Sequence, residues 1–207
     1  MQINFFENLS ARKLLLLLIF TNLFLIGLAL FFYNSRFDLI NYPFSYAGDV
    51  LTQDGFKNAI SSRIYSLDML ISGLIMFLLV KFHTKTPKIY LMALSLVGGI
   101  GFLIASFAPD DTRHIFHVAG SAMVVASFWF MAMVQLFNIK DKIKGSVFVG
   151  MHLILQIPIL AYAFTYFLNI DPLSYQLQKL AFLALAIVLI FSVNGKYLIK
   201  KKIQLKT

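Results

Sequence analysis

This sequence predicts an all-α, polytopic integral membrane protein, a six-helix bundle with a long outer first loop. Three observations carry the prediction. Six apolar runs of membrane-crossing length follow one another along the chain. Only 13% of the 207 residues are charged, about half of the roughly 25% found in soluble domains. The basic residues collect in alternate connections, as they do when they fix orientation in a membrane.

The first run, 14–33, passes without a charge and is long enough to cross roughly 30 Å of hydrocarbon. A cleaved signal peptide would have a shorter apolar region, about 7–15 residues, followed by small residues at the cleavage site. Phe31-Phe32-Tyr33-Asn34 follows instead, so this run is expected to stay as a helix. The longest connection, 34–62, is turn-rich at Asn41-Tyr42-Pro43 and Asp54-Gly55 and holds five aromatics between Phe37 and Phe56. Such a loop predicts a lid lying at the membrane interface rather than a disordered linker.

The second span, 64–82, carries Asp68 near its start. The third, 89–108, contains Gly98, Gly99, Gly101 and Ala105, small residues that let helix backbones approach closely in lipid. The fourth and fifth spans are 115–137 and 146–168, the latter with Pro158 as an expected kink. His152 and Gln156 lie four apart just before that proline and predict helix–helix hydrogen bonding. The sixth span is 176–199, and all 207 residues read as a single transmembrane domain.

Thirteen of the 18 Lys and Arg flank the even-numbered connections and the two termini, including Lys81, Lys85, Lys88, Lys140, Lys142, Lys144 and Lys200-Lys201-Lys202. The positive-inside rule then puts both termini in the cytoplasm, in a multi-pass protein of a cell membrane, by expectation a prokaryotic inner membrane. The same distribution accounts for the net charge of +9 without nucleic acid as a partner. The expected partners are membrane lipids, with another membrane protein or a second copy of the chain beside them. With no cysteine, disulfides, thiolate nucleophiles and iron–sulfur ligation are excluded.

The stretch from Pro109 to Ser121 concentrates the chemistry. It brings Asp110, Asp111, Arg113, His114 and His117 to the mouth of the fourth span, on the side predicted to face outward. His114, His117 and Ser121 are spaced to share one helix face. One of the two acids is expected to cap the helix N-terminus, where free N–H groups and the helix dipole favour a carboxylate. Asp68 lies roughly 9 Å inside its span at 1.5 Å per residue. A carboxylate there is expected to face the interior and meet a partner, with His117, His114 or Arg113 available. The plainer alternative is an Asp–His or Asp–Arg pair that only pins two helices.

Asp68, Asp110, Asp111, Arg113, His114 and His117 are thus the predicted ligand-binding residues, and Asp68, His114 and His117 the catalytic set if the protein is an enzyme. The same three residues are the donor types a divalent metal takes, although their spacing is permissive. The cofactor is otherwise open. Haem is disfavoured, because His117 and His152 enter from opposite halves and His83 lies in a loop, leaving no facing pair.

Two blocks carry a family resemblance. Tyr42-Pro43-Phe44-Ser45-Tyr46-Ala47-Gly48 with Asp54, Asn58 and the run Ile64-Tyr65-Ser66-Leu67-Asp68-Met69-Leu70-Ile71-Ser72-Gly73-Leu74 forms the first. Phe107-Ala108-Pro109-Asp110 with His114 or His117 and Ala119 forms the second. Together they resemble the prokaryotic membrane proteins grouped as domain of unknown function 998, which are similar in layout to the six-span FRAG and DRAM types. The resemblance implies six helices and an outer polar site, and it implies no particular activity. On the residues, the first expectation is an outward-facing pocket that binds a lipid head group, a small ligand or a partner. The alternative is an intramembrane, metal-assisted hydrolase or transferase acting on lipid. A transporter stands third, since one broken helix at most gives little sign of alternating access.

Overall fold

The computed structural model describes residues 11–83 and 89–204. Helix α1 spans Ala11–Phe31, α2 Ala59–His83, α3 Ile89–Phe107, α4 Asp110–Ile139, α5 Gly145–Phe167 and α6 Leu173–Gln204. All six are long and apolar enough to cross a membrane, and no strand occurs among the described residues. The basic residues Lys85, Lys88 and Lys206, on which part of the orientation argument rests, lie outside the described residues.

The helices start earlier than the apolar runs. Helix α2 begins five residues before its predicted span, and α4 takes in Asp110 to His114 as its opening turns. Hydropathy marks where hydrocarbon begins, whereas backbone hydrogen bonding begins wherever a cap can close the first turn. Helix α4 is broken once, at Arg113 (φ −140°, ψ 45°).

The chain divides into two compact units. The first holds α1, the first loop from Phe44 onward, α2, α3 and α4 as far as Ser127. Leu14, Leu18 and Ile19 of α1, Met76 and Leu79 of α2, Phe102 and Ala105 of α3 and Val124 of α4 are buried in it. The predicted glycine packing is present. A Cβ on Gly101 would stand 2.7 Å from the Gly120 carbonyl oxygen, and one on Gly120 would stand 2.7 Å from that of Gly101. Backbone meets backbone there, so α3 and α4 approach as closely as a membrane helix pair can.

The second unit comprises Asp38–Pro43 and the chain from Phe128 onward. Leu136, Ile139, Leu155, Ile159, Val188 and Leu189 are buried in it, while Leu153, Ile157, Leu160, Phe164 and Phe167 of α5 lie exposed, as suits a helix facing lipid. Trp129 Nε1 donates to Gln156 Oε1 at 3.0 Å, which is the helix-to-helix hydrogen bond expected of Gln156. His152 behaves differently: its Nε2 has no hydrogen-bond partner, and its ring packs among Phe137 and Phe148. At its other end, Asp171 accepts hydrogen bonds from Ser174 and Tyr175 in the first turn of α6.

Candidate functional site

The first loop is built around its own hydrogen bonds. Thr52 N donates to Phe56 O at 2.8 Å and Gly55 N to Thr52 O at 2.9 Å, closing a tight turn whose Gly55 has φ 81°. Glycine suits that left-handed position because it has no side chain to clash. The turn is then tied to the start of α2. Asn58, which is buried, donates from Nδ2 to the carbonyls of Ala47 (3.3 Å) and Asp49 (3.1 Å). Ser61 Oγ donates to Ala47 O at 2.7 Å and Ser62 Oγ to Gly48 O at 2.8 Å. Gly48 has no room for a side chain, since a Cβ would stand 2.5 Å from Tyr65 Cδ1.

This loop clasps the head of α4. Asp49 Oδ1 accepts the backbone N–H of Asp111 at 3.2 Å. Asp111 Oδ2 in return accepts the N–H groups of Val50 (2.9 Å) and Leu51 (3.1 Å). Ser45 Oγ donates to Asp110 Oδ2 at 3.3 Å. The expectation that Asp110 or Asp111 caps α4 is corrected here. The cap is Asp49, brought from the loop, and a carboxylate beside those free N–H groups gains from the helix dipole wherever it comes from in sequence.

Three carboxylates thereby share one small volume. The pKa of Asp49 is pushed up to about 8, first by burial and then by the neighbouring Asp111 and Asp110 charges, which outweigh the lowering by the α4 N–H groups. Asp110 also holds His114, with Oδ1 2.6 Å from Nδ1.

The structure separates the two histidines. The His114 side chain is 68% exposed, whereas His117 is 4% exposed, with Nδ1 2.8 Å from Ala108 O and its ring stacked on Tyr65. Three residues rotate a helical side chain about 60° short of a full turn, enough for one face to straddle surface and interior. Arg113 is exposed and donates from Nη1 to Phe107 O at 3.1 Å. Phe107, Ile115 and Phe116, near it in the chain, are exposed apolar residues.

Asp68 faces the interior as expected, with no exposed surface, but the expected ionic partner is absent. Its hydrogen bond comes from Ser72 Oγ, one turn on, at 3.4 Å. Ser72 Oγ accepts from Asn22 Nδ2 of α1 at 2.6 Å. Arg113, His114 and His117 are engaged elsewhere. Asp68, His114 and His117 therefore do not form the ligand set suggested for a divalent ion, and among the described residues no group of three His, Asp or Glu is placed to hold a metal.

Asp49 and Asn22 were not singled out by the sequence, and Ser45, Asn58, Tyr65 and Ser72 entered only as parts of the motif blocks, without a role. Asn22 and Ser72 did carry a signal, being polar side chains inside apolar runs. Asp49 carried only its place in a turn-rich loop. Comparison with known proteins finds no family model, curated protein or solved structure that matches the chain. The helices define a multi-pass integral membrane protein.

Proposed function

We propose that this protein binds a phospholipid head group at the first-loop end of α4, in a cell membrane of prokaryotic type with both termini cytoplasmic. One observation carries the reading: Arg113 and His114 are consecutive exposed residues at the head of α4, and Phe107, Ile115 and Phe116, close by in the chain, are exposed apolar residues. Apolar side chains at that position suit the acyl boundary, and a guanidinium beside an imidazole suits the phosphodiester just above it. Asp110 orients His114 through Nδ1, which leaves Nε2 directed outward. The clasp of loop and helix holds both side chains at the head of a membrane helix. The same reading groups the chain with the membrane proteins of domain of unknown function 998, a kinship that rests on the motif residues alone.

A second reading has its own support. The Asp110–His114 pair is the arrangement of a general base and the carboxylate that orients it, so a lipid bound at Arg113 would present its ester bonds to His114. That is the hydrolase or transferase alternative, acting through water rather than through an assembled metal set.

Lipid analysis of the purified protein separates the two. Binding predicts a copurifying phospholipid whose occupancy falls about tenfold or more in Arg113→Ala, the loss expected of one charge-assisted hydrogen bond. Hydrolysis predicts turnover of added phospholipid that disappears in His114→Ala. Neither copurified lipid nor any change in Arg113→Ala would defeat the binding reading.

A further inference from the structure

Asp68 raises a question that the lipid reading does not answer. It is wholly buried in α2. Its Oδ1 has one long hydrogen bond from Ser72, and its Oδ2 has no hydrogen-bond partner. Among the described residues no ion pair involves it. Helix α1 beyond Lys13 has no titratable side chain, and α3 has only Tyr90, in its first turn. On α2 itself, Arg63 lies five residues before Asp68 and is exposed, and Lys81 is 13 residues away, roughly 20 Å along the axis. Helix α4 contributes His117, whose Nδ1 is engaged by Ala108 O. An ionised Asp68 would leave a bare carboxylate oxygen against apolar side chains, a far costlier state than the neutral acid. Intramembrane acids kept in such settings commonly serve proton relays.

Tyr65 is buried one turn closer to the first loop, against Gly48 of that loop. Its ring stacks on His117 with centroids 6.5 Å apart. We propose that Asp68 is an intramembrane proton-binding site, loaded from the first-loop end of α2 past Tyr65. The proton is bound on Oδ2, and Ser72 and Asn22 hold the other oxygen in place. Its release leaves a carboxylate that only Ser72 can answer, so occupancy is coupled to how α1 and α2 meet at the Asn22–Ser72 bond. The proposal stands whether or not a lipid binds at Arg113.

Dicyclohexylcarbodiimide tests it, because this apolar reagent enters the membrane region and reacts only with a protonated carboxyl. With the full-length protein in liposomes, peptide mass spectrometry is expected to find the adduct on Asp68. Above the titration of the acid its yield should fall about tenfold per pH unit, following the protonated fraction. Asp68→Asn removes the adduct, and Tyr65→Phe slows deuterium exchange of the buried acid in its infrared carbonyl band without abolishing the adduct. Should Asp68→Asn fail to fold, the adduct on the wild-type chain still decides the matter. An unlabelled Asp68 in folded protein across the pH range overturns the proposal. Protection of Asp68 by sodium ions also overturns it, since the site would then hold a metal cation instead.

Discussion

Two polar regions interrupt the apolar helices, and they solve the same problem in opposite ways. In the second unit the hydrogen-bonded pair is neutral: Gln156 accepts from Trp129. In the first unit, at the head of α4, the groups are charged or chargeable, and each carboxylate is held by several donors, most of them backbone N–H. A neutral pair joins two helices cheaply and has nothing further to exchange. Carboxylates crowded at a helix head must be paid for by a built loop, and they remain able to bind and release protons.

The largest effect should come from the loop itself. Asn58→Leu removes both bonds that hold the Ala47 and Asp49 carbonyls and leaves those carbonyls buried. A loss of about 2–4 kcal/mol is expected, read as a lower unfolding midpoint in detergent. A loss confined to a few tenths would mean that the loop is not built as a unit.

The pH dependence comes next. The folded value for Asp49, about 8, lies above its ordinary 3.8, so between the two the folded protein holds a proton that the unfolded chain has given up. Stability contributed by Asp49 is therefore fully present below about pH 4, declines as the pH rises, and levels off above about 8. Asp49→Asn, which mimics the protonated acid, should flatten that slope in thermal scans between pH 5 and 8. An unchanged slope would show that Asp49 is not its source.

Gln156→Ala in the second unit should cost least, about 0.6 kcal/mol and no more than about 1.7, the range of single hydrogen bonds between membrane helices. The loss should not vary with pH, because neither partner titrates. A pH-dependent loss would erase the contrast between the two regions.

Much of this was legible in the residues. The six spans follow from apolar length, and the backbone contact between Gly101 and Gly120 follows the small-residue pattern of α3. The importance of the stretch after Pro109 was visible as charge in an apolar chain. What the sequence could not show was pairing across distance. Local rules assign the cap of α4 to the nearest acids, yet it comes from Asp49, 62 positions from Asp111. Asp68 was expected to find a charge, and the Ser72 hydroxyl, itself held by the Asn22 amide, answers it instead. Hydropathy reports the solvent around each residue and is blind to which donors the folded backbone leaves free.

The two-residue link between α3 and α4, Ala108 and Pro109, has a consequence for the order of events. The entropic cost of bringing two segments together rises with the length of chain between them. Within the first unit α1 and α2 are separated by the whole first loop, while α3 and α4 are already joined almost end to end. Their hairpin is the pairing that needs the least search, and contacts of that kind form early. The clasp of Asp49 on α4 then becomes a late step, the latch that closes once both hairpin helices stand side by side.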